Sequence, residues 1–234
     1  SAFASNYLNS SFGLAEQLKS KGFNWLILTP TWKVGINKDL PFIDSDPLNT
    51  IPSTELNRIA MAAQQAGLKV ALYPQLSFPS DSDAWWNDTV KSMIWWQQWY
   101  ADYERMVMHS IKLATAIKAD QLILGGPDVS YSYPGVMETI GENFGTPKTS
   151  EKIWTDLLTK ADEYYDGAIL LAQEVDAGAL RDYSFYQQTQ GFYLLFSSDL
   201  ENYTSYTADT VGSFIDNIVL PFYDSYQKPV YFGL

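Results

Sequence analysis

Phe23-Asn24-Trp25-Leu26-Ile27-Leu28-Thr29-Pro30-Thr31-Trp32 is the stretch on which the fold turns. Its apolar run is short and bounded by turn residues, the pattern of a strand buried on both faces of a parallel sheet. The residues just after the run matter as much. A dinucleotide-binding sheet places G-x-G-x-x-G there, and Thr29-Pro30-Thr31-Trp32 contains no glycine. The strand therefore belongs to an α/β sheet of another kind.

Working outward, five more runs have the same character: 68–74, 121–126, 167–172, 191–196 and 229–232. Helical patterns separate them. Ser11 to Lys21 precedes Gly22, and a helix capped by Ser53, with Glu55 in its first turn, runs to about Ala66 before Gly67. The longest lies between about Val90 and Lys118, where Trp96, Tyr100, Tyr103, Val107, Ser110, Ala114 and Ile117 step by three and four to define a buried face. Glu151–Tyr164 is another. Ala208 to about Tyr226 is the last, with Pro221 expected to kink or stop it. Between the first two strands lies a polar loop with Pro41, Asp44, Asp46 and Pro47, and a glycine- and proline-rich loop runs from Pro127 to Pro147.

Strands alternating with helices, with no polar linker, predict one α/β domain over residues 1–234. Long loops carrying aromatics and acids after the strands favour a (β/α)8, TIM-barrel-like architecture over a doubly wound sheet. The pattern starts in a helix and stops in a strand. The expectation is a barrel lacking its first and last strands here, completed by the remainder of a longer polypeptide or by a neighbouring subunit.

Composition narrows the function. With 27 acids against 15 bases the formal charge is -12, which argues against nucleic acid and anionic lipid as partners. No apolar run approaches the roughly 20 residues of a membrane helix. Cysteine is absent and His109 is the single histidine, so thiolate and multi-histidine metal sites are excluded. No cofactor is implied. Aromatics make up 15% of the chain, a composition shared by many secreted proteins that handle polysaccharides, and an extracellular or cell-surface location is expected.

Several stretches resemble a known group. Residues 23–32 and Gly67-Leu68-Lys69-Val70-Ala71-Leu72-Tyr73-Pro74-Gln75 resemble the second and third strands of clan A glycoside hydrolase barrels, above all mannanase-like bacterial extracellular proteins. Trp95-Trp96-Gln97-Gln98-Trp99-Tyr100 and the helix to Ala116 are similar to that group's third helix. Ala119 to Gly126 is similar to its fourth strand, and Lys228-Pro229-Val230-Tyr231-Phe232 to the start of its seventh. The resemblance implies a barrel whose fourth strand ends in an acid/base glutamate and whose seventh ends in a nucleophilic glutamate. Here Gly125-Gly126 is followed by Pro127, and the last strand reads on into Gly233-Leu234. The expectation is thus a glycan-binding or structural barrel with a degenerate catalytic site. The alternative is an active glycosidase using other carboxylates.

Glycoside hydrolysis needs two carboxyl groups, one protonated and one ionised. Asp128, after the fourth strand, and Glu174, after the fifth, are the candidates, with Asp176 and Asp199 at neighbouring strand ends. Sugars stack on aromatic rings. Trp32, Tyr73, Tyr131 and Tyr133 fall at strand ends or in the loops after them, and Trp85 and Trp86 in the loop before the long helix. Gln75 and Asp199 complete the expected substrate-binding set with Trp32, Tyr73 and Tyr131. Trp95, Trp96, Trp99 and Trp154 read as core, and His109 as structural or surface. Asp44, Asp46, Asp81, Asp83 and Asp88 lack EF-hand spacing and read as solvated rather than as a calcium site. Asn9, Asn87 and Asn202 each open an N-x-[ST] sequon.

Overall fold

A computed structural model describes residues 13–45, 50–175, 181–196, 212 and 215–233. Helix α1 (13–20) leads to β1 (Trp25–Leu28), which continues almost directly into β2 (Thr31–Asn37) and β3 (Leu40–Ser45). Helix α2 (Ser53–Gln65) precedes β4 (Lys69–Leu72) and β5 (Gln75–Ser77); α3 (Ser82–Asp88) and α4 (Met93–Ala116) precede β6 (Gln121–Gly125). After the short α5 (Pro127–Ser130) come α6 (Ser150–Tyr164), β7 (Ala168–Val175), a 3-10 turn (Ser184–Gln188) and β8 (Gly191–Phe196). A π-turn (Ile215–Val219), α7 (Leu220–Tyr226) and β9 (Val230–Gly233) complete the order.

Six strands form one parallel sheet in chain order, β1-β4-β6-β7-β8-β9. Their register is staggered. Lys69 pairs with Trp25, but it is Ala71 that pairs with Gln121; Ala168 pairs with Gln121, but it is Leu170 that pairs with Gly191. A stagger that accumulates in one direction tilts the strands and curls the sheet, which is how barrels close.

Side-chain alternation divides the sheet into two faces. Leu26, Leu28, Val70, Leu72, Leu122, Leu124, Ile169, Leu171, Phe192 and Leu194 point outward into the large core shared with the helices. Trp25, Ile27, Ala71, Tyr73, Ile123, Leu170, Ala172, Tyr193, Leu195 and Tyr231 form a separate inner cluster. Trp25 of β1 and Tyr231 of β9, at opposite edges of the sheet, meet edge-to-face with ring centroids 5.9 Å apart. A flat sheet would hold those strands five spacings apart, roughly 24 Å. The sheet is therefore an arc curled around a lumen, the partial (β/α)8 barrel expected from the strand pattern.

The expected helical face of α4 is buried along its length, from Trp96 to Ile117. Other expectations need correction. Residues 31–45 are not a polar loop. They form a hairpin, β2 antiparallel to β3, with β5 added parallel to β2. Lys38 and Asp39 both take positive φ in its turn, the twist that a two-residue hairpin connection requires. Gly35 faces Phe42, whose ring occupies the space a side chain at 35 would fill. Trp85 and Trp86 lie not in a loop but in α3, which Asp81 caps by accepting the Ala84 N–H at 3.1 Å. Ser53 is not a cap: Pro52 precedes α2 and makes no side-chain capping bond. Pro221 sits in the first turn of α7, directly after the π-turn Ile215–Val219, so the regular helix is disturbed next to this proline as expected. Residues 208–211, 213 and 214 of that expected helix lie outside the described residues, as do Asp46, Asn9 and Asn202.

The small sheet is fastened to α4 at its outer edge. β3 uses one side for β2; on the other, the Ile43 N–H donates to Asp102 at 3.3 Å and the Ile43 carbonyl accepts from Arg105 at 2.6 Å. Arg105 also pairs with Asp102 at 2.6 Å. One acid and one base thus take the place of a neighbouring strand and protect an exposed edge. Asp102→Ala, which strands the buried Ile43 N–H, should lower the unfolding free energy by about 1–3 kcal/mol in urea titrations. Asp102→Asn, whose amide oxygen still accepts from Ile43, should lose clearly less.

Candidate functional site

The C-terminal ends of parallel strands converge on one mouth, and Tyr73, Gly125, Gly126, Asp128 and Glu174 all stand there. Glu174 lies within β7 rather than after it. It shares the parity of the inner residues Leu170 and Ala172, so it faces the lumen, and it is exposed. Its orientation is fixed from behind. The preceding Gln173 points outward, where its Oε1 accepts from Tyr186 at 2.8 Å and its Nε2 donates to the Ala172 carbonyl at 2.8 Å and to Tyr133 at 3.4 Å.

The end of β6 is built around two glycines. Gly125 has φ 76° and Gly126 φ 115° with ψ 174°, the latter a region open to glycine alone. A Cβ at Gly125 would collide with the Tyr133 hydroxyl and one at Gly126 with the Tyr73 hydroxyl. The Gly125 N–H donates to the Tyr103 hydroxyl at 3.0 Å. Three tyrosine hydroxyls therefore surround a strand end that can carry no side chain. The chain then turns through Pro127 into α5, which bears half-buried Asp128.

Asp128 and Tyr73 border one small crevice, about 10 Å³, with Gln75, Tyr103 and Met106. Burial pushes the Tyr73 hydroxyl up to about 12; its hydrogen bond with Gln75 opposes this, and the charge of Asp128 and Tyr193 adds to it. Tyr73 also meets Tyr193 of β8 edge-to-face at 5.8 Å. Tyr131 is half-buried on the same side, its ring stacked on Trp86 at 5.5 Å and 18°. Its hydroxyl is also pushed up to about 12, first by burial, then by a hydrogen bond with Asp83 and the nearby charges of Asp83, Asp81 and Glu174. At neutral pH both tyrosines are hydrogen-bond donors beside carboxylates.

Not every expected residue joins them. Trp32 is 7% exposed and lies edge-on to His109 of α4 at 5.1 Å, in the core under the small sheet, so it offers no stacking face. Tyr133, Trp85 and Trp86 are likewise buried. Asp176 and Asp199 lie outside the described residues. Asp81 serves as a helix cap, and no three His, Asp or Glu among the described residues are grouped to hold a metal ion. Asp83, Trp86, Tyr103, Gln173 and Tyr186 support the mouth, a role that their sequence context does not signal. The Gly125-Gly126 pair was the available signal, because adjacent glycines at a strand end mark close approach by other groups.

Behind Tyr131 and Asp128, Trp85, Trp86, Trp95, Trp96 and Trp99 pack together. Lys91 is fully buried among them, its Nζ donating to the carbonyls of Trp86 and of Thr89, the latter at 2.7 Å, and lying over the rings of Trp86 and Trp95. Burial pushes its ammonium down to about 8. The folded chain thus releases this proton more readily than the unfolded chain, whose lysine holds it to about 10.4. The stability of the wild type relative to Lys91→Met should rise as pH goes from 8 to 10, read by chemical denaturation at each pH. At Gly126, alanine should destabilise by about 2–3 kcal/mol. Adding Tyr73→Phe should recover the part due to the collision and leave the part due to backbone strain, which a double-mutant cycle separates.

The comparisons with known proteins agree with this geometry. The sequence pattern of Glycoside Hydrolase Family 113 matches residues 8–232. Among solved structures, the GH113 β-mannanase AaManA from Alicyclobacillus acidocaldarius, in complex with ManMIm, superimposes with a TM-score of 0.66 at 17% identity, over 95% of this chain and 64% of that one. A GH113 β-1,4-mannanase gives 0.67 at 14% identity, over 97% and 66%. A fungal β-1,4-galactanase structure gives 0.53 at 12%, over 93% and 63%. At these identities the likeness is one of fold. The chain spans just under two thirds of the length of each of these proteins. No curated protein matches it. With nearly the whole chain matched by the family's pattern and a mouth formed at the ends of the parallel strands, the protein belongs to glycoside hydrolase family 113.

Proposed function

We propose that the barrel mouth binds a β-1,4-linked, mannan-type polysaccharide and cleaves it weakly or not at all. The substrate class is taken from the family and from the mannanases whose barrels this chain resembles. Tyr73, Tyr131, Gln75, Asp128 and Glu174 supply donors, acceptors and ring faces suited to a sugar chain. A polymer of that size is met outside the cell, in keeping with an extracellular protein.

The observation that carries the low-activity half is the end of β6. Tyrosine hydroxyls fill the places where side chains at 125 and 126 would begin, and Pro127 follows. The first carboxylate is the short one of Asp128, on α5, beside Tyr73. Glu174 instead acts on Tyr131. A retaining pair works at about 5 Å and an inverting pair at about 6.5–9.5 Å. Pro127 restricts how the chain leaves β6, and the expectation that follows is an Asp128 turned partly off the barrel axis and a pair poorly matched to either mechanism.

The test is calorimetric titration with mannohexaose, alongside sugar release from glucans, mannans and xylans. Binding should be measurable, with little sugar released. Asp128→Asn and Glu174→Gln should change the affinity by no more than about threefold, because neutral amides keep most of the hydrogen bonds. Vigorous release from one polysaccharide, lost in either variant, would instead establish an active glycosidase that uses these two carboxylates.

A further inference from the structure

Trp86 is 0% exposed and cannot touch a ligand in the mouth, yet it contacts two of the residues that can. Its Nε1–H donates to the main-chain carbonyl of Asp128 at 2.8 Å, across 42 residues of sequence. Its ring face lies against Tyr131 at 5.5 Å. The indole has little freedom of its own: Trp99 meets it edge-on at 4.6 Å, Trp96 stacks at 6.0 Å, and Lys91 hydrogen-bonds its carbonyl. The carboxylate of Asp83, from the same helix α3, raises the proton affinity of the Tyr131 hydroxyl. One buried ring thus connects α3 to both the α5 backbone and the Tyr131 ring.

We infer that Trp86 is the positioning residue of the saccharide site, fixing Asp128 through its N–H and Tyr131 through its ring face so that the two form one rigid wall. The inference rests on the saccharide reading above. A preorganised wall binds more tightly because less side-chain and loop freedom is lost when the ligand arrives. The ring and the N–H are separable: Trp86→Phe keeps an aromatic face and removes the donor to Asp128.

The comparison is with Trp99→Phe. Trp99 belongs to the same buried cluster, but its Nε1 has no hydrogen-bond partner among the described residues. By calorimetry, Trp86→Phe should weaken mannohexaose binding about tenfold, the loss of roughly one hydrogen bond's worth of organisation. Trp99→Phe should stay within about twofold even at an equal loss of thermal stability. Equal effects of the two, or no effect of Trp86→Phe, would overturn the inference and leave the saccharide reading standing. In the wild type, the Trp86 indole N–H resonance should shift when mannohexaose is added, although the ring is sealed from solvent; a fixed resonance counts against the inference even where the variant fails to fold. Should the wild type not bind mannohexaose, the saccharide reading fails. Positioning is then judged in the ligand-free protein. Movement of the Val129 amide and Tyr131 ring resonances in Trp86→Phe, and not in Trp99→Phe, supports it, and their constancy overturns it.

Discussion

The close approach of tyrosine hydroxyls to the glycines that end β6 is the constraint on which the rest of the mouth depends. Tyr73 comes from the end of β4, Tyr103 from α4 and Tyr133 from the loop after α5, and all three meet at Gly125-Gly126. Tyr133 then reaches Gln173 of β7, and Gln173 reaches Tyr186 of the 3-10 turn. Buried hydroxyls need partners, and each here finds a backbone amide, a carbonyl-bearing side chain or another polar group. The network therefore sets the relative heights of β4, β6 and β7, and with them which side chains look into the lumen. A side chain on either glycine would break it at its centre.

That network was only half legible in the sequence. The arc itself was readable because its strands are short apolar runs punctuated by glycine and proline, and because helical patterns separate them, the longest with a regular apolar stripe. Parallel order follows from the alternation, and the stagger that curls the sheet follows from side-chain packing. The glycine pair was visible, but the partners that need it were not, since Tyr103 and Tyr133 are separated from it in sequence and reach it only through tertiary packing. Trp86 was legible as an aromatic near the mouth and illegible as a support. Nothing local distinguishes an indole that faces a ligand from one buried beneath the residue that does.

The hairpin was missed for a different reason. Residues 31–45 mix Pro41, Asp39, Asp44 and Lys38 among Trp32, Val34, Phe42 and Ile43, so composition reads as a loop while alternation reads as strand. Alternation won because α4 offers an apolar surface for Trp32, Val34 and Ile43 and supplies Asp102 and Arg105 for the free edge of β3. A two-stranded hairpin alone is marginal in water, and a third strand with a hydrophobic face behind it is what makes it persist. The same event withdrew Trp32 from the mouth.

The division of aromatic residues then becomes physical rather than compositional. Tryptophans in α3 and α4 fill space behind the mouth, where their large area contributes most to packing and where Lys91 can be buried at the expense of its proton affinity. Tyrosines stand nearer the lumen, because a phenol can pack its ring and still present a hydroxyl to a polar partner. Tyr73 presents that hydroxyl beside Asp128, and Tyr131 presents its own to Asp83 beside Glu174. Each carboxylate of the mouth thus lies near a tyrosine hydroxyl. The acidic character of the chain reinforces that division at the mouth, since neighbouring negative charges make the loss of a phenolic proton still less favourable.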